Sequence, residues 1–470
     1  MAEDKFSFKH VFTSANPGLL DDFYTVDKKL LGEGSYGKVQ MGRHKATGAQ
    51  RAIKSIDIAK IRDKDRFKQE TDIQMNLDHP NIVKLYETFI DARRVYLVME
   101  LCTGGELFDR IVEEADKHEG SAFGEKDVAR YMQQILGAMR YLHSKSYAHR
   151  DIKPENFLLQ NRTREAEIKV IDFGLAKAYT PGELMKTKAG TPYYVSPQVL
   201  SGKGYDEKCD IWSCGVICYI LVCGYPPFYG DTDLDILNRV KGGSFDFPSP
   251  DWDQNSRELK DFISKMLTFD SAKRPSAEDL FSHPWLVNSF ATTDRLIKFD
   301  KNVAANMRKF RFSSRLKKVV LTMIAQNLKD SDLEELRSVF IALDRNKDGT
   351  LSKQELVEGL KKANVPMPDD FGHVLDSLDT DGSGSIDYSE FLASTLTRKQ
   401  YLKEEAAWAA FRMFDKDGDG QITKEELAHV LEDKDLQISA DIMQEVDTDA
   451  SGTISFEEFK HMLSQDMLTK

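Results

Sequence analysis

The feature that most constrains the fold is a twelve-residue acidic segment that occurs four times in the last third of the chain. The copies begin at Asp344, Asp379, Asp415 and Asp447, so successive starts are 35, 36 and 32 residues apart. A repeat of this period marks one supersecondary unit used several times, and it takes precedence over local propensity. Amphipathic segments flank every copy. We therefore predict four helix–loop–helix units between residues 326 and 470.

Each copy fits the pattern D-x-[DNS]-x-[DS]-G-x5-E, which is typical of a calcium-binding loop. Oxygen ligands fall at positions 1, 3 and 5, a peptide carbonyl at position 7 and a bidentate Glu at position 12, while Gly at position 6 permits a sharp turn. Position 8 is always Leu or Ile, which should let paired loops bridge through a short strand. The candidate ligands are Asp344, Asn346, Asp348, Thr350 and Glu355; Asp379, Asp381, Ser383, Ser385 and Glu390; Asp415, Asp417, Asp419, Gln421 and Glu426; and Asp447, Asp449, Ser451, Thr453 and Glu458.

The alternative interpretation is that these Asp- and Gly-rich segments are merely turns. One match could be a turn, but four in register, each with its Glu at position 12, favour ion binding. The loops are not equivalent, because the first and fourth present three carboxylates each, whereas the third presents four and the second presents four when Asp387 at position 9 is included. The sequence therefore predicts four calcium sites without setting the affinity of each.

The charge distribution supports a cation-binding C-terminal third. Residues 326–470 contain 32 Asp and Glu against 16 Lys and Arg, whereas the whole 470-residue chain has a net charge of only −12. Such an acidic segment argues against nucleic-acid binding and favours cations or a basic partner.

Cysteine usage and hydropathy predict a soluble protein of the cytoplasm, which we also expect to be a monomer. The five cysteines include no CxxC pair, and the longest apolar run, Ile211 to Cys223, has 13 residues, whereas a membrane-spanning helix needs about 20. The chain begins Met1-Ala2, without an apolar signal stretch and without the glycine that N-myristoylation requires at the second position.

The first two thirds of the chain predict two lobes. Residues 1–23 are polar with scattered aromatics and are expected to form a loosely ordered extension. From residue 24 to 286, strand-like segments come first and helical periodicities follow, so we expect a small sheet-rich lobe and a larger helical lobe.

A glycine-rich segment, residues 32–39, follows the first strand-like segment. GxGxxG alone also occurs in dinucleotide-binding folds, but those require a helix at the glycines. Here a second strand follows and ends at Lys54. This order predicts a hairpin that lies over phosphates, with Lys54 beside it. Glu70, on a helix predicted over Asp65–Leu77, could pair with Lys54, although an isolated pair is usually a solvated surface bridge.

The segments His149-Arg150-Asp151-Ile152-Lys153-Pro154-Glu155-Asn156 and Asp172-Phe173-Gly174 point to phosphoryl transfer. Asn156 and Asp172 supply hard oxygen ligands for Mg²⁺. Asp151 is placed to orient a protein hydroxyl and accept its proton, with Lys153 near the transferring phosphate. With these motifs in this order, the chain resembles the eukaryotic protein-kinase family over about 263 residues, and the complete catalytic set argues against a pseudokinase.

The resemblance implies further site residues. Met99 matches the gatekeeper position, and the hinge from Glu100 to Cys102 would receive adenine. Glu106 and Glu155 match acidic positions that attract a basic residue upstream of the phosphorylated Ser or Thr, although Glu106 could simply be a favourable charge at a helix N-terminus. The nucleotide-binding positions implied are Leu31, Gly32, Glu33, Gly34, Ser35, Tyr36, Gly37, Lys38, Val39, Ala52, Lys54, Met99, Glu100, Cys102, Glu106, Glu155, Asn156 and Asp172.

One motif departs from the kinase pattern. Ser196-Pro197-Gln198 stands where the family usually reads Ala-Pro-Glu, and that Glu normally pairs with an arginine matched here by Arg274. Gln198 can offer Arg274 at most a neutral hydrogen bond, so the clamp should be weaker while catalysis survives.

Between the kinase-like and acidic parts lies a basic junction. Residues 291–325 carry nine Lys and Arg against two Asp, and Phe312, Leu316, Val319 and Met323 recur at helical spacing within Lys309–Ala325. This arrangement resembles the calcium-dependent protein kinases of plants and apicomplexan parasites. The expected architecture is an α+β bilobal protein-kinase fold at residues 24–286, an autoinhibitory junction at 287–325 and an all-α calmodulin-like domain with four EF-hands at 326–470.

That resemblance implies a calcium-activated serine/threonine kinase that uses ATP, Mg²⁺ and Ca²⁺ and acts on protein substrates with basic residues upstream of Ser or Thr. Without calcium, the junction from about Asp294 to Ala325 should lie near the substrate groove, where Arg311-Phe312-Ser313-Ser314 resembles an R-x-x-S site. With calcium, the EF-hand domain should take the junction away from the kinase. The alternative of a calcium buffer with a dead kinase is contradicted by the intact set of Lys54, Asp151 and Asp172, and that of a kinase needing separate calmodulin by the four loops in the same chain.

Overall fold

The computed structural model describes residues 15–16, 18–34, 37–61, 63–117, 123–187, 190–290, 303–311, 313–368, 370–380, 382–431, 433 and 436–465. The N-terminal lobe is a six-stranded sheet with the strand order β1-β5-β6-β4-β3-β2. Its strands are β1 Ala15–Asn16, β2 Tyr24–Gly34, β3 Gly37–His44, β4 Gln50–Asp57, β5 Leu85–Ile90 and β6 Arg94–Met99, accompanied by the helices α1 Leu20–Phe23 and α2 Lys64–Met75 and a 3₁₀ turn at Ile58–Lys60. All neighbouring strands are antiparallel except β1 and β5.

The end of the N-terminal extension is ordered, which corrects the loose extension predicted for residues 1–23. β1 pairs with β5, Asn16 donates a hydrogen bond to Glu87 at 3.2 Å, and Leu20 is buried. These contacts attach residues 15–16 and 18–23 to the edge of the sheet, because pairing and burial offset the cost of ordering a short segment. Residues 1–14 lie outside the described residues.

The second lobe is mainly helical and packs around α4 and α6. Every residue from Cys209 to Cys223 in α6 is buried. A helix that is apolar on all sides must lie inside a domain, so the four cysteines of this helix are packing residues. The elements of this lobe are α3 Leu107–Lys117, α4 Glu125–Ser144, β7 Tyr147–Ala148, a 3₁₀ turn Pro154–Asn156, β8 Phe157–Leu159, β9 Ile168–Val170, β10 Lys177–Ala178, α5 Pro197–Ser201, α6 Lys208–Cys223, α7 Asp233–Gly242, α8 Arg257–Met266, α9 Ala277–Phe281 and α10 Pro284–Phe290.

The C-terminal third is helical and has a core of its own. Among the described residues, no helix is both long enough and apolar enough to cross a bilayer. The elements are α11 Val303–Arg311, α12 Arg315–Asn327, α13 Asp330–Leu343, α14 Lys353–Lys362, α15 Phe371–Leu378, α16 Tyr388–Thr395, α17 Arg398–Tyr401, α18 Glu404–Phe414, β11 Gln421–Thr423, α19 Lys424–Leu431, α20 Gln437–Val446, β12 Thr453–Ser455 and α21 Phe456–Ser464.

The basic junction forms two helices rather than the single helical segment that its periodicity predicts. α12 begins after Ser314, whose hydroxyl accepts a hydrogen bond from the amide of Lys317 at 3.3 Å. A serine at this position caps a helix and so separates α12 from α11. Leu316, Val319 and Met323 are buried in the same core as the helices that flank the four loops. Phe312 lies outside the described residues.

Candidate active site and calcium loops

The glycine-rich hairpin is formed by β2 and β3. Gly34 pairs with Gly37, and Ser35 and Tyr36 at the tip lie outside the described residues. A Cβ at Gly37 would lie 1.9 Å from the carbonyl oxygen of Ser55, so only glycine lets β3 approach β4 this closely. Lys54 lies on β4 between Val39 of β3 and Leu97 of β6. The predicted strand–turn–strand–lysine order is therefore confirmed.

Glu70 lies on α2, close enough to Lys54 to feel its charge. Burial raises the pKa of the Glu70 carboxyl and Lys54 opposes that rise. Within the described part of the chain, no nitrogen–oxygen contact of 4.0 Å or less joins Lys54 to Glu70, so their ion pair stays a prediction. Arg66, one turn earlier on α2, donates to the Gly174 carbonyl from Nε at 3.1 Å and from Nη2 at 2.6 Å. Helix α2 thus contacts the Asp172-Phe173-Gly174 motif directly.

The catalytic loop runs from β7 to the 3₁₀ turn at Pro154–Asn156. Buried Asp210 on α6 accepts hydrogen bonds from the amides of His149 at 2.9 Å and Arg150 at 2.7 Å, which fixes the start of this loop. The pKa of Asp210 lies below its ordinary value. Burial alone would raise it, but the hydrogen bond with His143 and the neighbouring donors have the larger combined effect. Asp210 therefore stays ionised as an internal anchor.

Asp151 is held in place by three neighbouring side chains. Lys153 Nζ lies 2.9 Å from its Oδ2, and the Thr191 hydroxyl donates to its Oδ1 at 3.0 Å. Asn156 donates to the Asp151 carbonyl at 2.8 Å and to Oδ2 at 3.2 Å. Sequence reasoning missed Thr191, because nothing in the sequence pattern links a residue 40 positions away to Asp151.

Asn156 and Asp172 fit the chemistry of a magnesium site. The amide nitrogen of Asn156 is used by Asp151, so its amide oxygen is left for an ion. Asp172 has a φ of 63°, and its Oδ1 accepts from the Gly174 amide at 3.1 Å. A non-glycine residue in the left-handed region is strained, and such strain is characteristic of functional positions.

The hinge follows β6. Met99 is half-buried, and its sulfur lies 4.0 Å from the Gln74 amide nitrogen. The Glu100 amide donates to the Lys84 carbonyl at 2.9 Å, so its own carbonyl is the group left for adenine. The Glu100 side chain points elsewhere, to buried Lys169 at 2.5 Å. Cys102 is half-buried and is not part of a disulfide, Ala52 is buried, and Leu31 on β2 is exposed.

Glu106 and Glu155 are close in space. Partial burial raises the pKa of Glu106, and the nearby Asp109 and Glu155 carboxylates raise it further. Glu155 Oε2 is buried, and no described residue hydrogen-bonds to it. Two crowded carboxylates, one with an unsatisfied oxygen, favour an incoming cation.

Arg274 is buried and has neutral partners where the family has a glutamate. Its Nη2 donates to Gln198 Oε1 at 2.9 Å, while Nη1 donates to the Lys208 carbonyl at 2.7 Å and Nε to the Thr268 carbonyl at 3.0 Å. Burial lowers the pKa of Arg274 to about 10. The expectation of a neutral hydrogen bond from Gln198 is confirmed.

The four acidic loops share one backbone geometry. The glycine at position 6 has a φ between 77° and 87° in all four, and its amide donates to Oδ2 of the first Asp at 2.9–3.1 Å. The Glu at position 12 accepts from the amide at position 2 at 2.7–3.0 Å in every copy. Each loop therefore holds its first and last carboxylates towards the same interior. Asp381 lies outside the described residues.

The loops are paired as predicted from their apolar position 8. Leu351 bridges Ile386, and Ile422 pairs with Ile454 in the short sheet formed by β11 and β12. The carboxylates of Asp415, Asp417 and Asp419 lie within 4.8 Å of one another, as do those of Asp447, Asp449 and Glu458. Burial raises the pKa of Asp344 to about 7, and its Oδ1 is buried without a hydrogen-bond partner among the described residues. Clustered, desolvated carboxylates of this kind fit a cation.

Comparison with known proteins agrees with this geometry. Residues 24–286 match the family model described as "Protein kinase domain", and residues 333–396 and 403–464 match "EF-hand domain pair". "Calcium-dependent protein kinase 3" of Plasmodium berghei (strain Anka) is 44% identical over 98% of this chain and 84% of the relative. "Calcium-dependent protein kinase 5" of Plasmodium falciparum (isolate 3D7) is 40% identical over 95% and 78%, and "Calcium-dependent protein kinase 33" of Arabidopsis thaliana is 38% identical over 94% and 84%.

The chain belongs to the calcium-dependent protein kinases. It is a protein serine/threonine kinase with a C-terminal EF-hand regulatory region, so the predicted fold class and enzyme class are confirmed. As a class, protein kinases use ATP, typically with Mg²⁺, and EF-hands bind Ca²⁺.

The EF-hand region of this kinase contacts the kinase domain, which no sequence pattern indicated. Arg337 on α13 lies 2.5 Å from Glu167, 3.7 Å from the hinge residue Glu100 and 2.9 Å from the Pro80 carbonyl. Arg140 of α4 donates to the carbonyl of Asn346 in the first calcium loop at 2.6 Å.

Further bonds extend this docking contact to both lobes. The Ser389 amide donates to Asp78 at 2.8 Å, and Arg51 of β4 donates to the Gln326 carbonyl at 2.9 Å. A Cβ at Gly349 would lie 1.8 Å from the ring of buried His79, so the first calcium loop packs against the kinase without a gap.

Proposed function

We propose that this kinase transfers the γ-phosphate of ATP to Ser or Thr of proteins, and that calcium binding to its EF-hands releases it from inhibition by the junction. The proposed parts are a kinase domain at residues 24–286, a junction at 287–325 and a calmodulin-like domain at 326–470. The observation that carries the proposal is that α12 lies in the core of the EF-hand region while that same region contacts the hinge at Glu100. We further propose that it acts as a cytoplasmic monomer, and the absence of disulfides among the described residues supports a reducing compartment.

In the proposed mechanism, the residues of this chain position and polarise the reactants. The glycine-rich hairpin covers the nucleotide, and Lys54 binds its phosphates with Glu70 as a partner. Asp151 orients the substrate hydroxyl and accepts its proton, while Lys153 and Thr191 keep the carboxylate in place. Mg²⁺, when bound with ATP, neutralises phosphate oxygens, and Asn156 and Asp172 would hold it.

Substrate preference follows from the acidic pair Glu106 and Glu155. A lysine or arginine upstream of the target hydroxyl would satisfy the buried Glu155 oxygen and relieve the repulsion between the two carboxylates. We propose that both residues select basic substrates.

Calcium would be held by the side chains at positions 1, 3, 5 and 12 and the carbonyl at position 7 of each loop, which are the twenty candidate ligands named from the sequence. The shared turn geometry and the clustered carboxylates support this assignment. In the calcium-free state, we propose that the junction returns to the helical lobe, where its basic side chains would meet Glu106 and Glu155.

In the structure, basic side chains of the described part of the junction contact the EF-hand region. Arg311 lies 2.7 Å from Asp370, and Leu316, Val319 and Met323 are buried. We interpret this arrangement as the calcium-loaded, active one. Moving such an equilibrium from 1:99 to 99:1 takes about 5.5 kcal/mol of differential affinity, which several sensor-grade sites together can supply.

The test is a calcium titration of the purified protein with ATP and a Ser-containing peptide that has an upstream arginine. We expect phosphorylation to require calcium, to stop on chelation and to need no added calmodulin. Glu426→Gln and Glu458→Gln should each raise the calcium needed, because each removes a bidentate ligand. Full activity in chelator, or activation only by added calmodulin, would contradict the proposed switch. Absence of phosphorylation with calcium as well as with chelator would contradict the proposed catalysis.

A peptide with the arginine replaced by alanine is the matched control for substrate preference. Equal turnover of both peptides would show that Glu106 and Glu155 do not select basic substrates.

A further inference from the structure

The side chain of Arg150 connects two distant parts of the chain. Its Nε donates to the Leu175 carbonyl at 2.7 Å, and its Nη1 donates to the Tyr205 hydroxyl at 3.1 Å. Leu175 directly follows Gly174, whereas Tyr205 lies between α5 and α6. Arg150 has a φ of 68°, so the backbone is held in a strained conformation that aims this side chain.

Tyr205 in turn holds the loop that leads to Thr191. Its hydroxyl donates to the Thr187 carbonyl at 2.6 Å, and its backbone exchanges two hydrogen bonds with Met185, at 2.8 and 2.9 Å. Tyr205 is only 3% exposed. Burial raises the pKa of the phenol, so the hydroxyl keeps the proton that it donates to Thr187.

These bonds fasten both ends of one loop, residues 175–187, which we call the activation loop. One end follows Asp172, the proposed magnesium ligand, and the other lies four residues before Thr191, which contacts Asp151 and Lys153. A small displacement of either end would move a side chain of the catalytic set, and misplacement by about 1 Å can cost roughly 100-fold in rate.

We propose that Tyr205 is a positioning residue for phosphotransfer: its hydroxyl, held by Arg150, fixes the activation loop so that Thr191 and Asp172 keep their catalytic placement. Nε and Nη1 of Arg150 and the hydroxyl of Tyr205 all have partners within the chain, so this connection forms without a phosphate on the activation loop. The inference rests on the kinase activity and not on the calcium switch proposed above.

Tyr205→Phe tests this proposal, because it removes the hydroxyl and keeps the buried ring. Tyr219→Phe is the matched control: Tyr219 is also buried in the helical lobe and its hydroxyl donates to a backbone carbonyl, that of Asp246 at 3.1 Å, but neither residue belongs to the activation loop. Full-length proteins are assayed at saturating calcium, at a temperature where circular dichroism shows all variants folded.

We expect Tyr205→Phe to lower kcat by roughly tenfold, the size expected for losing a hydrogen bond to a charged group, with the KM for ATP within about twofold of wild type. Hydrogen exchange should rise at the amides near Met185 and Thr187 in Tyr205→Phe alone, and the calcium midpoint should not move. The double variant Arg150→Met with Tyr205→Phe should have a kcat only slightly below that of Arg150→Met alone, because the two residues act as one unit.

Turnover of Tyr205→Phe within twofold of wild type, an equal loss in Tyr219→Phe, or additive losses in the double variant would each overturn the proposal. A change confined to the calcium midpoint would also overturn it, because the hydroxyl would then act in the calcium switch. Loss of calcium control with the predicted kcat effect intact would instead count only against the switch.

Discussion

Replacing Arg337 by alanine should raise the calcium concentration needed for activation, because Arg337 anchors the EF-hand region to the hinge. The guanidinium is buried between Glu167, Glu100 and the Pro80 carbonyl. None of these contacts lies in a calcium loop or in the catalytic set. The substitution therefore weakens docking while leaving calcium ligands and catalytic residues in place.

The loss of docking free energy depends on the two glutamates that lose Arg337 as a partner. Removing one partner of a fully buried ion pair costs about 3–5 kcal/mol, and an exposed pair is worth about 0–1 kcal/mol. Glu100 keeps its ion pair with Lys169 at 2.5 Å, and Glu167 is 26% exposed, so we expect an intermediate loss of about 2 kcal/mol. That loss is a factor of about 30 in the docking equilibrium.

The activity assay can detect such a factor. If saturating calcium gives a docked-to-undocked ratio of about 99:1, the variant should fall to about 3:1 and lose roughly a quarter of its maximal activity. If all four loops fill together, the calcium midpoint should rise by about the fourth root of 30, which is roughly twofold.

Lys403→Ala is the matched control, since Lys403 pairs with Asp332 at 2.9 Å within the EF-hand region, lies outside the four calcium loops and forms no ion pair with the kinase domain among the described residues. The midpoint of this control should stay at the wild-type value. If Arg337→Ala activates at the wild-type calcium concentration and to the wild-type maximum, docking at the hinge does not contribute to activation, and the reasoning fails.

Three other substitutions test the kinase domain. Asp172→Asn should abolish phosphotransfer while circular dichroism stays unchanged, and wild-type turnover would disprove the metal assignment. Met99→Gly should admit bulky purine analogues that wild type excludes, and equal inhibition of both forms would show that another residue closes the pocket. Gln198→Glu should give buried Arg274 an ionic partner and raise the melting temperature by roughly 2–4 °C, the shift expected for about 1 kcal/mol in a domain of this size, whereas a lowered value would show that burying the new charge costs more than the pair returns.

Much of the candidate site was readable from the sequence because its chemistry depends on short, local motifs. Residues 149–156 and 172–174 each occupy one tight loop, so their spacing alone indicates that their side chains share a site. The four calcium loops are local in the same sense. Position 6 needs a positive φ, and positions 1 and 12 are brought together within a single twelve-residue loop. The order of a sheet-rich lobe before a helical one also followed from periodicity.

The contacts that connect these motifs were not readable, because they join residues that are far apart in the chain. Thr191 reaches Asp151 across 40 positions, and Arg51 reaches Gln326 across 275. Periodicity also predicted one junction helix, whereas the Ser314 cap divides it, since a local hydrogen bond can end a helix without changing the apolar pattern.

The sequence by itself determined the two kinds of chemistry, phosphoryl transfer and calcium binding, because each depends on residue types at fixed short spacings. Only the tertiary structure decided which apolar surface the basic junction would bury: its pattern of Leu316, Val319 and Met323 suits either the helical lobe or the EF-hand core, and the structure places it in the latter. The physical reason is that hydrophobic burial is non-directional. The apolar face of an amphipathic helix therefore indicates that the face will be buried, but it does not specify which partner surface will bury it.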